Sequence, residues 1–212
     1  MGCPRFLLTC SFLLLVSPIA LRAQSAPSSS SVKSKNSRST NTSGPDAGAT
    51  TDGLYRNSFF AFSYKVPFGW VERTKDIQGD DADSTKSQVL LAVFERPPDA
   101  PGDTVNSAVV IAAEKAANYP GLKTAADYFG PLGQLTIANG FKVVNEPYEF
   151  PVGTKKLARA DFSKPMNNDK LTMQQSTLVE LEHGYVVSFT FIAGDEGEVE
   201  DLIGNLSFAV HK

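Results

Sequence analysis

The chain has 212 residues, 42% of them hydrophobic and 20% charged, with a formal net charge of −3. Its two cysteines, Cys3 and Cys10, fall within the first ten residues, so a disulfide framework, a thiolate metal site or a cysteine nucleophile is excluded from everything that follows. Five of the 20 basic and two of the 23 acidic residues precede residue 53, which leaves the remainder at a net charge of −6. A mildly acidic domain without a basic stripe argues against nucleic acid or an anionic membrane surface as partner.

Arg5 followed by the apolar run Phe6 to Ala20 and the short polar region Arg22-Ala23-Gln24-Ser25 reads as a cleaved signal peptide over residues 1–23. The apolar core is short for a span of ~20 residues and carries Pro18 near its end, which disfavours a retained membrane anchor. Residues 24–52 are dominated by Ser, Thr, Asn, Ala, Gly and Pro, with Val32 as their single large apolar residue. Such a stretch buries too little surface to offset its ordering entropy and is expected to be a disordered tether. One globular domain is expected over 53–212, with no stable membrane span, in a secreted or periplasmic location.

The domain opens on Leu54 to Trp70. Phe60, Phe62, Tyr64 and Val66 alternate with Ala61, Ser63 and Lys65, the period of a strand with one face on a core. Pro67 halts the ladder, and Phe68-Gly69 delivers Trp70, the only tryptophan, as an expected packing anchor. Val71 to Ser87 is polar and reads as a loop. Gln88 to Phe94 and Ala108 to Ala113 are apolar on both faces, as inner strands are, and need a layer over each side of the sheet.

Thr124 with Asp127 three residues on resembles a capping box, and Tyr128, Leu132 and Leu135 follow at helical spacing. Gly130-Pro131 inside that pattern predicts a kink or two short helices, and Asn139-Gly140 ends it. Strands are expected over Phe141 to Phe150 (an edge or a bulge, given Pro147), Lys156 to Phe162, Leu171 to Leu181 and Tyr185 to Ile192. Glu182-His183-Gly184 predicts a tight hairpin between the last two. Asp195 can cap a helix carrying Val199, Leu202 and Ile203 on one stripe, and Phe208 and Val210 close the fold. Strands at both ends, few helices and hairpin-like connections predict an α+β sandwich: a largely antiparallel sheet of six to seven strands with helices on its faces.

The opening stretch Tyr55 to Trp70, with Gly184 to Ile192, the acidic helix and Asn205-Leu206-Ser207-Phe208, resembles the PsbP-like superfamily, which includes the extrinsic PsbP proteins of photosystem II, the Mog-type Ran-binding factors and many bacterial secreted proteins. The resemblance covers residues 53–212 and implies an α/β/α sandwich in the bacterial secreted branch. The positions that carry it, Tyr55, Phe62, Pro67, Gly69 and Trp70, are structural, and members of one fold differ in function.

Catalytic chemistry has few candidates. The two histidines are His183, in the hairpin turn, and His211, and neither is placed for a triad; Gly-x-Ser-x-Gly, His-Glu-x-x-His and P-loop patterns are absent from the sequence. Asp76, Asp80, Asp81 and Asp83 crowd one loop, but Lys86 and Ala92 stand where an EF-hand from Asp81 needs glycine and glutamate. The cluster Asp195 to Asp201 suits the positive end of its own helix. Glu95, Glu114, Asp161 and Glu180 lie on or beside strands, and Arg159 shares a face with Asp161 in an expected solvated salt bridge. The expectation is therefore no catalytic, cofactor or metal residue, and an exported domain that binds a protein or envelope component. The alternatives are a carboxylate-dependent envelope hydrolase using Glu114, Asp161 and Glu180, and a lipid or small-molecule carrier.

Overall fold

The computed structural model describes residues 45–78 and 87–208. The expected signal peptide, most of the expected tether, Asp80, Asp81, Asp83, Val210 and His211 lie outside the described residues. The chain builds an α+β sandwich on a seven-stranded sheet in which every pairing is antiparallel. Its strands, in spatial order, are β4 (Val71–Glu72), β5 (Ser87–Phe94), β6 (Ala108–Lys115), β10 (Tyr185–Ala193), β9 (Leu171–Glu182), β8 (Lys155–Met166) and β7 (Lys142–Val152). A second sheet is ordered β1 (Ala49–Thr51), β2 (Leu54–Asn57), β3 (Phe62–Lys65) and β11 (Leu206–Phe208).

One face of the large sheet is covered by this small sheet and by α3 (Glu196–Ile203). Tyr55, Phe60, Phe62, Tyr64, Val199, Leu202, Ile203 and Leu206 bury themselves there against Leu91, Ile111, Leu178, Phe189 and Phe191. Phe62 meets Phe189 edge-on at 5.0 Å between ring centroids, the geometry that aromatic quadrupoles favour. The other face carries α1 (Thr74–Gln78) and α2 (Phe129–Ala138), the latter entered through a 3-10 turn, Ala125–Tyr128. Tyr128 and Phe129 pack on Ala160, Phe162, Val179 and Val186, and Ile77 packs on Ala92, Phe94 and Ala108. Inner strands apolar on both faces have thus found a cover on each side.

Several local expectations hold for the reasons that motivated them. The β9–β10 hairpin pairs Glu182 with Tyr185 across two residues, His183 at φ +52° and Gly184 at φ +81°, a two-residue turn with both centres left-handed. Asp127 Oδ2 accepts from the Thr124 backbone N–H at 2.7 Å, and Asp195 Oδ1 accepts from that of Glu198 at 2.9 Å, each satisfying an otherwise orphaned donor. Pro131 stands third in α2, among the first-turn positions whose N–H has no partner within the helix, so its missing donor costs little. The expected kink resolves into the 3-10 turn followed by α2.

Three expectations change. The alternation from Phe60 to Val66 is not one strand: β2 and β3 form a hairpin, and Phe60 sits in its turn with its N–H bonded to Asn57 Oδ1 at 3.0 Å. Ala49–Thr51, inside the stretch expected as tether, pairs as β1 with β2, and Tyr55 Oη donates to the Ala47 carbonyl at 2.9 Å. The segment after Trp70, expected as a loop, contains β4 and α1, held where the Arg73 and Ala92 backbones bond and Thr74 Oγ1 accepts from Ala92 N–H. Trp70 itself is half-buried against the core, and the neighbouring Phe68 is fully exposed.

Candidate functional site

The register of the large sheet decides where its polar residues meet. Leu91, Ile111, Phe189, Leu178, Arg159 and Tyr148 are successive partners across six strands. The next row on the same face runs Val93, Val109, Phe191, Ser176, Asp161 and Asn145. Both rows are apolar on β5, β6 and β10 and turn polar towards the β7 edge. Asn145 and Tyr148 are three residues apart and would face opposite ways in a regular strand. The ladder shifts register between them, with Pro147 in the gap, and this bulge brings both to one face, the re-aiming that bulges allow.

The result is a cluster centred on Asp161. Its Oδ1 accepts from Arg159 Nε at 2.8 Å and from the Ser176 hydroxyl, and its Oδ2 accepts from Asn145 Nδ2 at 3.0 Å and Tyr148 Oη at 3.1 Å. Arg159 Nη2 donates to Ser176 Oγ at 3.0 Å and to Glu200 Oε1 of α3 at 2.5 Å, while its guanidinium lies 4.6 Å over the Phe150 ring. Arg159 and Asp161 are 6% and 8% exposed, so the expected solvated salt bridge is instead a buried one. The alternation placed the pair on one face; it did not show that α3 would roof that face. Burial pushes the Asp161 carboxyl up, but the bonds from Ser176, Arg159 and Asn145 outweigh it and hold the group below its usual range. Burial likewise pulls Arg159 down and is outweighed by Glu200 and Asp161, so its pKa is raised. Burial, aided by the neighbouring Asp161 charge against the opposing effect of Arg159, pushes the Tyr148 hydroxyl up to about 12.

A cavity of about 160 Å³ opens over the cluster, lined also by Gln174, Gln175 and Glu196. A second, of about 280 Å³, lies between α2 and β7 among Phe129, Gly133, Ile137, Val143, Pro147 and Phe162. Sequence reasoning named Arg159 and Asp161 but missed Asn145, Tyr148, Ser176 and Glu200. The polar alternation Thr172, Gln174 and Ser176 along β9 is a signal that could have found Ser176, and nothing local marks Glu200 as a partner for a strand 41 residues upstream.

The other expected carboxylates are not brought to this cavity. Glu114, 5% exposed, lies on the α2 face and accepts from Tyr128 Oη at 2.7 Å and from Tyr119 Oη. Burial, with the Glu114 charge adding to it, holds the Tyr128 hydroxyl well above its ordinary value. Glu180 is 6% exposed and bonds Lys155 at 2.8 Å through Oε2, while its Oε1 is buried with no hydrogen-bond partner among the described residues. Burial pushes the Glu180 carboxyl up despite that pairing. Glu95 pairs with Arg96 at the surface. Lys155 bonds Glu180 and Glu182, and Lys156 bonds Glu149. His183 stacks 5.1 Å from Phe59 in its turn. Asp76 pairs with Arg73 at 3.5 Å, and among the described residues no group of three or more His, Cys, Asp or Glu is placed to hold a metal. No helix among the described residues is long and apolar enough to cross a membrane.

No family model matches the chain, and no curated protein matches it. Among solved structures it is similar to LpqN of Mycobacterium tuberculosis, a protein involved in cell envelope biogenesis, at 13% identity and a TM-score of 0.42 over 70% of this chain and 83% of that one. A Pseudomonas aeruginosa protein of unknown function matches at 14% identity and a TM-score of 0.38, over 75% of this chain and 96% of that one. The cyanobacterial PsbP of Synechocystis matches at 13% identity and a TM-score of 0.48, over 78% of this chain and 98% of its own length. A PsbP protein thus stands among the structures to which this fold is similar.

Proposed function

We propose that the chain is an exported, non-catalytic recognition domain that binds an envelope component at the Arg159–Asp161 cavity. The carrying observation is the state of Asp161. A general base needs a free lone pair and a pKa near the working pH. Asp161 has both oxygens occupied, each by two donors, and its carboxyl is held below the ordinary range. Its chemistry is to fix Arg159, Asn145 and Tyr148 in place, which is what a binding site needs of its buried polar groups. Export is read from the arrangement of Arg5, the apolar run and Ala23.

The hydrolase reading loses its basis in the separation of its three carboxylates: Glu114 is bound to two tyrosines on the opposite face, and Glu180 is bound to Lys155. The test is thermal unfolding of the purified protein against a panel of envelope building blocks, paired with a hydrolytic screen of the same panel. A binder at a hundredfold excess over its Kd adds about 2.7 kcal/mol of stability. The expected result is stabilisation without turnover. Turnover that Asp161→Asn abolishes would overturn the proposal.

A further inference from the structure

Arg159 is 94% buried by its 6% exposure, and its three side-chain hydrogen bonds use Nε and Nη2 alone. Nη1 makes no hydrogen bond among the described residues, yet it is not one of the sealed polar atoms there. It therefore keeps its access through the cavity that Arg159 lines. A guanidinium nitrogen left in that condition is a donor waiting for an oxygen acceptor. Around the same cavity stand acceptors with free capacity: Glu200 Oε2, the exposed carboxylate of Glu196, and the Gln174 amide. One cation and three carboxylates, Asp161 included, give the lining a net charge of −2.

That distribution selects its ligand. A simple anion would meet Arg159 already neutralised by Asp161 and Glu200, and would face their field and that of Glu196. A simple hydrocarbon would leave Nη1 unpaired and desolvated. A cavity of about 160 Å³ is small beside the roughly 300–1,000 Å³ of pockets for drug-sized ligands, so the ligand is a single small unit. We infer that the cavity binds a small primary amine that carries an oxygen acceptor next to the amine, with the oxygen on Arg159 Nη1 and the ammonium on Glu200 and Glu196. Two sources supply that chemistry: an amino acid and an amino sugar. The inference rests on the recognition reading above and names its ligand class.

The test is calorimetric titration of the full chain with L-alanine, D-glucosamine, and their N-acetylated forms, at low and high salt. One of the two free amines is expected to bind, with its N-acetylated form at least tenfold weaker and with affinity falling as salt rises. Glu196→Gln, at an exposed position, is expected to weaken the amine without moving the urea midpoint by more than a few tenths molar; Glu200→Gln, whose carboxylate also holds Arg159 Nη2, is expected to weaken the amine and to lower the midpoint as well. Which free amine binds identifies the source. Equal binding of the acetylated probe, insensitivity to both substitutions, or no binding of either amine at millimolar concentration would overturn the inference. If another panel compound then binds without turnover, the ligand class falls and the recognition reading stands; turnover would remove both.

Discussion

Replacing Asp161 by alanine strips four donors of their acceptor at once. The most costly of them is the Arg159 guanidinium, 6% exposed, which keeps its charge because it does not deprotonate in proteins. Removing one partner of a buried ion pair costs about 3–5 kcal/mol. Here Glu200 still holds Nη2, and the cavity admits water, so the lower end applies, ~3 kcal/mol. With a urea m-value of about 2 kcal/mol/M, the midpoint should fall by roughly 1.5 M. The domain has no cysteine after Cys10, so equilibrium unfolding followed by Trp70 fluorescence needs no reductant. The companion is the double variant Arg159→Met with Asp161→Leu, which removes both charges and fills the space with apolar atoms; it should recover most of the loss, since such exchanges are often neutral or stabilising. A fall of less than about 0.3 M for Asp161→Ala, or a double variant as unstable as the single one, would refute the account of a buried, mutually dependent pair.

Other expectations follow from the packing and the protonation states. Glu180 has its carboxyl raised above the ordinary 4.5 by burial, so the folded state holds its proton longer than the unfolded one; the resulting stability is full below 4.5 and is lost as pH rises through the raised value. Glu180→Gln should flatten that part of a pH series of urea midpoints, and an unchanged slope would contradict it. Asp161 acts in the opposite sense: its carboxyl is depressed below 3.8, so its contribution is present above 3.8 and disappears as pH falls through the depressed value, a loss that Asp161→Asn should remove from the acid limb. Gly184→Ala places a Cβ at φ +81° and should cost about 1–2 kcal/mol in thermal or urea unfolding, with no cost indicating a turn that relaxes. Trp70→Ala should cost roughly half of the ~3–5 kcal/mol of a fully buried aromatic, whereas Phe68→Ala, at a fully exposed position, should stay within about 0.5 kcal/mol.

Much of the large sheet was legible because alternation, strand-ending residues and turn chemistry agree there. The apolar runs of β5 and β6 carry no polar face, and His183-Gly184 suits only a two-residue turn. The β2–β3 hairpin was not legible, for a physical reason: Asn57 to Ala61 has no glycine or proline, the Asn57 side chain closes the turn, and Ala61 accepts φ +56°. Phe60 happens to continue the period of Phe62 and Tyr64, so a turn residue buried against the large sheet imitates a strand. In the candidate site, Arg159 and Asp161 were visible as face-sharing neighbours. Their environment was not: Pro147 marked an edge or a bulge without showing that it would turn Asn145 and Tyr148 to one face, and a helix far along the chain supplies the roof. The carboxylates of α3 read as dipole partners in sequence, yet Glu200 sits beyond the first turn and spends its charge on Arg159.

The pairing of β11 with β3 sets Leu206 against Tyr64 and Phe208 against Phe62. The small sheet therefore takes its outer strand from a segment synthesised long after the other three, and the core beneath it stays open until Phe208 has emerged. Loops of that length close slowly, and contacts so far apart in sequence delay folding. During synthesis the aromatic side chains of β2 and β3 have no finished surface on which to settle.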